Sequence, residues 1–176
     1  MSTGVLLYGA PATGKDTVTN ELVRDGLFVH FRRLKCGPGR TAGYRMINAG
    51  DFAQLDKADI LWINSRYGAQ YVVDRSELQR IWQSGQIPIV HLGQPEAIRQ
   101  VISRTPGVRW LVVELRSPLD VLTQRIASRS TGDDDTRVAV ARATPALDAP
   151  DLSIDTSTSD PATVASLISA AVHASH

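Results

Sequence analysis

The first patterned stretch of the chain is an unbroken apolar run, Val5-Leu6-Leu7-Tyr8, stopped by Gly9. A short continuous run of this kind predicts a strand buried on both faces of a parallel sheet. From Asp16 the period changes: Val18, Leu22 and Val23 recur at helical spacing, and Gly26 closes the stretch. The pattern then predicts a strand over 28–34, a basic Gly/Pro loop over 35–43 and a short extended piece over 44–47. Helices follow over 51–58 and 74–84, the second ending at Gly85, and then a buried strand over 87–92 whose weakest position is Pro88. The remainder reads as helix 95–104, strand 110–115, helix 118–128, an Arg-bearing segment 137–142, a last strand 152–154 and an Ala-rich helix 161–174. Strands alternating with helices predict an α/β fold on a parallel sheet.

Length and composition narrow this picture. A chain of 176 residues, 43% of them apolar, is expected to form a single domain over 1–176 with a core that needs no metal or disulfide staple. The lone Cys36 can make no internal disulfide and has no zinc-ligand spacing around it. With 19 Lys+Arg against 18 Asp+Glu, the net charge of +1 lacks the bulk electrostatic grip of a nucleic-acid binder. No apolar stretch approaches the roughly 18 residues of a membrane span, and the opening segment lacks a basic leader. The expectation is therefore a cytoplasmic protein, monomeric or homodimeric, with neither nucleic acid nor membrane as a partner.

One segment carries chemistry. Gly9-Ala10-Pro11-Ala12-Thr13-Gly14-Lys15 has the spacing of a phosphate-binding loop and lies between a predicted buried strand and a predicted helix. Such a loop turns backbone N–H groups inward, the helix N-terminus adds partial positive charge, and the lysine reaches the β/γ-phosphates. A nucleoside triphosphate is the expected ligand, with ATP and Mg²⁺ as cofactors. Asp16 stands where Ser or Thr normally meets magnesium, with Thr17 one residue later. Asp16 either coordinates Mg²⁺ or serves as an acidic first-turn residue at the helix N-terminus.

Later segments extend the reading. A basic loop leading to Tyr44, the dipeptide Tyr67-Gly68, a helix ending at Gly85 before a buried strand, and RIASRSTGDDDTRVAVAR occur in an order that resembles the guanylate kinase-like P-loop kinases. The chain also resembles ribose 1,5-bisphosphate phosphokinase, through Gly14-Lys15-Asp16-Thr17 and a basic Arg-Arg-hydrophobic strand. The resemblance implies a three-layer P-loop NTPase fold with an acceptor-binding insertion over about 33–73 and a mobile lid over about 125–142. It implies transfer of the γ-phosphoryl of ATP to a phosphorylated small-molecule acceptor, a nucleoside monophosphate or alternatively a sugar phosphate. A non-catalytic nucleotide-binding module is a further alternative. A GTPase switch is not expected, because neither Asn-Lys-x-Asp nor Asp-x-x-Gly occurs.

By the same resemblance, Lys15 is the phosphate-cradling lysine, Arg129 the lid arginine and Arg142 a second arginine aimed at the phosphates. Arg125 and Asp155 are expected beside the nucleotide, and Arg33, Lys35, Arg40, Tyr44 and Tyr67 around the acceptor's phosphate. Guanidinium pairs and phenol hydroxyls suit that task. The chain departs from the family where guanine would be read: Ala69 follows Tyr67-Gly68 in place of a hydroxyl, and Leu61-Trp62-Ile63-Asn64 carries no carboxylate, leaving Asp59 as a replacement only in a shifted register. The acidic residues expected after the strand at 87–92 are replaced by His91-Leu92-Gly93-Gln94, with His91 either a satisfied core histidine or an acceptor contact. Trp62, Trp82 and Trp110 are assigned to core or groove packing, and Asp133-Asp134-Asp135 to a solvated lid tip, with metal contact as the lesser alternative.

Overall fold

The structure is a computed structural model that describes residues 2–129 and 132–174. Its central sheet is parallel, with β1 (Thr3–Tyr8) flanked by β7 (Ile87–Leu92) and β8 (Arg109–Arg116), and with β2 (Phe28–His30) and β9 (Leu152–Asp155) at the edges. The apolar run at the start of the chain is thus the middle strand. Successive side chains of a strand face opposite ways, so both layers of helix draw on it. Val5 and Leu7 pack with α1 (Lys15–Leu22) and α7 (Pro161–Ala174), whereas Leu6 and Tyr8 pack with α3 (Arg75–Gln83) and α4 (Pro95–Arg104). Each fully buried aliphatic side chain contributes about 1.5–3 kcal/mol.

A second sheet, in the order β4 (Arg45–Met46), β3 (Leu34–Cys36), β6 (Ala69–Asp74), β5 (Ile60–Arg66), rises beside the C-terminal ends of the first. It corrects the strand expected over 28–34. The N–H of Phe31 still bonds to Ile89 in the central sheet, but by Leu34 the chain pairs with Val72 in the second. Arg32 and Arg33 lie at the crossing, since adjacent guanidiniums cannot both be hidden in a strand covered on two faces. The sequence pattern predicts no hairpin over 60–74, yet β5 and β6 form one. Its loop is Tyr67-Gly68, with φ of 55° and 71° and Arg66 paired to Ala69, the positive-φ pair of a two-residue hairpin turn.

Other boundaries follow from capping. The helix expected over 51–58 is the shorter α2 (Ala49–Ala53), started by Asn48, whose Oδ1 accepts from the Asp51 N–H at 2.8 Å. Asp74 caps α3 in the same manner by accepting from Glu77 N. The Arg-bearing segment is the helix α6 (Asp134–Ala143), which follows α5 (Leu119–Ala127), and residues 130 and 131 of the expected lid lie outside the described residues.

Pro88 is tolerated inside β7 for a local reason. Ile87 and Ile89 bond to β2, so position 88 faces β1, where the register Val5↔Ile89 sets Thr3 O opposite the missing N–H. The Trp82 indole N–H donates to that carbonyl at 2.8 Å instead. Trp110 lies over Gly4, where a Cβ would come within 2.3 Å of its ring. The chain after α6 is tied to β1 by the Tyr8 hydroxyl, which donates to Pro145 O at 2.6 Å. Burial and, to a lesser extent, Glu114 push that phenol up to about 12.

Candidate functional site

The phosphate loop turns sharply at its two ends. A Cβ on Gly9 would stand 2.7 Å from both Leu115 O and Thr13 Oγ1, so no larger residue fits there. Gly14, at φ 96°, is the N-cap of α1, and Ala12 also takes a positive φ. The N–H groups of the first helical turn have no partner inside the helix and carry its positive dipole end toward the loop. Lys15 folds back over this loop, its Nζ donating to Gly9 O at 2.7 Å and Ala10 O at 2.8 Å. An ammonium parked on two carbonyls at the rim is available to phosphate oxygens without rebuilding the fold.

Lys15 pays for its position electrostatically. Burial is the largest influence and lowers its pKa to about 8, partly opposed by Asp16 and reinforced by Arg33, Arg129 and Arg66. Phosphate anions favour the charged form, so below pH 8 the site is already charged for binding, and above pH 8 binding must take up a proton. The affinity for ATP is therefore expected to fall about tenfold per pH unit above 8. Calorimetry in buffers of different ionisation enthalpy, between pH 7 and 9.5, checks this through proton uptake that is absent at pH 7.

Two hollows meet at the loop. The first, a cleft of about 280 Å³, runs from Gly9, Lys15 and Asp16 to the second sheet. It gathers Arg33, Lys35, Arg40, Tyr44 and Tyr67 on one wall and Arg129 on the lid side. Lys35 is buried, donates to Arg40 O at 2.7 Å and lies 5.4 Å and 5.6 Å from the centres of Tyr44 and Tyr71. Arg33 stacks over the same rings, at 5.8 Å and 5.1 Å. Lys35 therefore braces the wall from behind, and Arg33 is the cation that its aromatic packing orients.

The second hollow lies on the other side of the loop, between α1, the end of α5 and the chain after β9. Thr13, Gly14, Thr17, Arg125, Arg129 and Thr156 border it. Arg125 is held by Ala12 O, Ser117 Oγ and both oxygens of Thr156, at 2.8–3.3 Å. It works as a strut under the phosphate loop as well as a wall of the hollow. Asp155 does not border either hollow; its carboxylate accepts from the N–H and hydroxyl of Ser157 in a local turn. Its neighbour Thr156 makes the long-range contact, donating to Thr13 O at 2.8 Å.

Arg142 also stands apart. It is exposed on α6 and borders neither hollow, while Arg137, one of the cleft residues, bonds Asp133 at 2.7 Å. Five residues along a helix rotate a side chain by about 140°, so both arginines cannot face the cleft. Arg66, Tyr71, His30 and Asn64 also line the cleft without having been expected there, and Trp62 takes the groove position that was one of its two expected places. The signal was present as alternation: Trp62, Asn64 and Arg66 share one face of β5. Asp59 is no substitute for the absent carboxylate, because it accepts from the N–H and hydroxyl of Ser76 at the start of α3.

Asp16 lines the cleft, 3.5 Å from Arg40 Nη1 and 3.5 Å from His91 Nδ1. Thr17, one residue on, borders the opposite hollow. Among the described residues no group of three or more His, Cys, Asp or Glu is placed to hold a metal. A single hard carboxylate does fit Mg²⁺ held mainly by phosphate oxygens and water, and Asp16 offers one in the cleft. His91 Nε2 is 2.7 Å from the hydroxyl of Thr19, and its ring lies 4.4 Å from that of His30. Burial, then the charges of His30 and Lys15, hold His91 well below the usual imidazole range. It is a neutral, satisfied histidine that nonetheless borders the cleft.

No protein-family model and no curated protein matches the chain. Among solved structures it is similar to guanylate kinase from Anaplasma phagocytophilum, with a TM-score of 0.66 and 15% identity over 99% of this chain and 86% of that one. The chain shares the fold of that guanylate kinase. A crystal structure of APE1195 is also similar, with a TM-score of 0.56 and 15% identity over 98% of this chain and 96% of that one. At such identity the likeness speaks for the guanylate kinase-like fold alone, and the chemistry of the cleft rests on this chain's own residues. Among the described residues, no helix is long and apolar enough to cross a membrane.

Proposed function

We propose that the protein transfers the γ-phosphoryl group of ATP to an anionic oxygen of a phosphorylated small molecule seated against the second sheet. The observation that carries this reading is the pairing of a phosphate loop on one wall with Arg33, Arg40 and Arg66 on the wall across the cleft. A site that only hydrolysed ATP would have no use for a second cationic wall. The base and sugar of ATP would occupy the hollow beside Arg125 and Thr156, with the triphosphate running over Gly14 toward Lys15.

An acceptor phosphate oxygen is already anionic, so no general base is needed, and the residues work by placement and charge. Arg33 and Arg40 would hold the acceptor's phosphate, and Tyr44 and Tyr67 would add neutral donors. Lys15 and Arg129 would neutralise charge that spreads over the transferring group. Mg²⁺, held at Asp16, would supply further charge neutralisation on the triphosphate. Closure of the segment carrying Arg129 and Arg137 would expel water that otherwise hydrolyses ATP.

Guanine is not the base expected at this site. Ala69, buried against Gly37, carries no hydroxyl to pair with a base. The test is ADP release with ATP·Mg²⁺ across nucleoside monophosphates, ribose 5-phosphate, ribose 1,5-bisphosphate and a control without acceptor. Release that depends on one acceptor is the expected result. Equal release with and without acceptor would overturn the reading in favour of a simple ATPase.

A further inference from the structure

Among the described residues, a single buried side-chain polar atom lacks a hydrogen-bond partner, and it is Asn64 Oδ1. Asn64 lies on β5 opposite Tyr71, between Trp62 and Arg66 on the face that lines the acceptor side of the cleft. A buried amide oxygen left unpaired lowers stability, and such groups in folded proteins are kept for a reason. The side chain's last torsion is soft, so the amide can turn to present either its oxygen or its nitrogen without moving the strand. An amide offers one acceptor and one donor side by side. Among the side chains of that wall, Arg33, Lys35 and Arg66 only donate and the phenols of Tyr44, Tyr67 and Tyr71 offer a single oxygen, so Asn64 alone sets a donor and an acceptor side by side.

We propose that Asn64 is the residue that reads the acceptor, by pairing with a neutral polar edge that presents a donor beside an acceptor. This inference rests on the acceptor role given above to the second sheet. The edge can come from a nucleobase or from the vicinal hydroxyls of a sugar. The arginines then supply grip on the phosphate, and Asn64 supplies choice among phosphorylated compounds. A carboxylate in its place would instead take two adjacent donors.

The experiment compares wild type, Asn64→Leu and Asn64→Asp. Ligand-free melting is measured first, then binding of AMP, CMP, GMP, UMP and ribose 5-phosphate in the presence of Mg²⁺ and a non-hydrolysable ATP analogue. Asn64→Leu should melt no lower than wild type, and up to about 2–4 °C higher, because the unpaired group is gone. It should bind the wild type's best probe about 10–100-fold more weakly, with the affinity for the ATP analogue within about twofold of wild type. Asn64→Asp should move the preference toward GMP, whose base edge carries two adjacent donors. A best probe among the mononucleotides identifies a base edge, and ribose 5-phosphate as best probe identifies the diol.

Three results would overturn the inference: a lower melting temperature for Asn64→Leu, which marks a structural role; probe affinities that are indifferent to position 64; or a wild type that binds none of the probes. Failure of the kinase reading shows differently, as probes that bind in an Asn64-dependent way without stimulating ADP release.

Discussion

Replacing Lys15 by alanine should lower acceptor-dependent ADP release by about 10²–10³-fold, with little change in melting temperature. The size follows from the loss of one preorganised charge that the proposed transfer sets against the phosphoryl group. The small effect on stability follows from what Lys15 touches. Its hydrogen bonds go to the carbonyls of Gly9 and Ala10 at the rim of the loop, which water can satisfy, and its ammonium sits where burial already disfavours its charge. Lys15→Arg should not restore the rate, because a planar fork cannot occupy the point that a compact ammonium fills between two loop carbonyls. Steady-state ADP release and differential scanning fluorimetry on the three proteins check both halves. Full activity in Lys15→Ala would remove the phosphate loop from the mechanism.

The second large effect concerns stability. Asp74 is buried at the end of β6 and bonds Arg45 on β4 while capping α3 through Glu77 N. Burial raises its pKa in spite of Arg45, so its charge is held at a cost and depends on its partner. Asp74→Ala leaves Arg45 without that partner and removes the helix cap. Breaking such a pair costs about 3–5 kcal/mol, and Arg45 is partly exposed, with 29% of its side chain accessible, so the lower end applies. At about 2–4 °C per kcal/mol for a chain of this size, the melting temperature should drop by about 6–12 °C. Asp74→Asn, which keeps an acceptor for the cap, should lose less. Because Asp74 joins β4, β6 and α3, acceptor binding should weaken in Asp74→Ala while ATP binding holds, and titrations of each ligand separate the two.

The central sheet and the phosphate loop were legible along the chain because they are local patterns. Val5-Leu6-Leu7-Tyr8 must be covered on both faces wherever it sits, and Gly9 to Lys15 forms its cradle from consecutive residues. The helix 161–174 was read with its observed bounds, since its ends are marked by Pro161 and the close of the Ala-rich run. The hairpin at 60–74 was harder to see. Its alternation mixes Trp62, Asn64 and Arg66 on the cleft face, so no hydrophobic period announces the strand, and Tyr67 takes a left-handed φ that residue type alone does not favour.

The α/β alternation, the phosphate loop and a supply of cations after it are therefore written in the chain, because each depends on residues close together in it. Which polar side chains line the cleft was settled by packing. Arg142 and Asp155 lie outside it, whereas Arg137, Arg66 and Asn64 reach it. The direction of a side chain from a helix or strand is set by how that element packs against distant ones, and the second sheet is joined through pairings such as Leu34↔Val72 that lie far apart in the chain. Long-range pairing also leaves Asn64 Oδ1 buried and unpaired, a property that no composition or spacing can express.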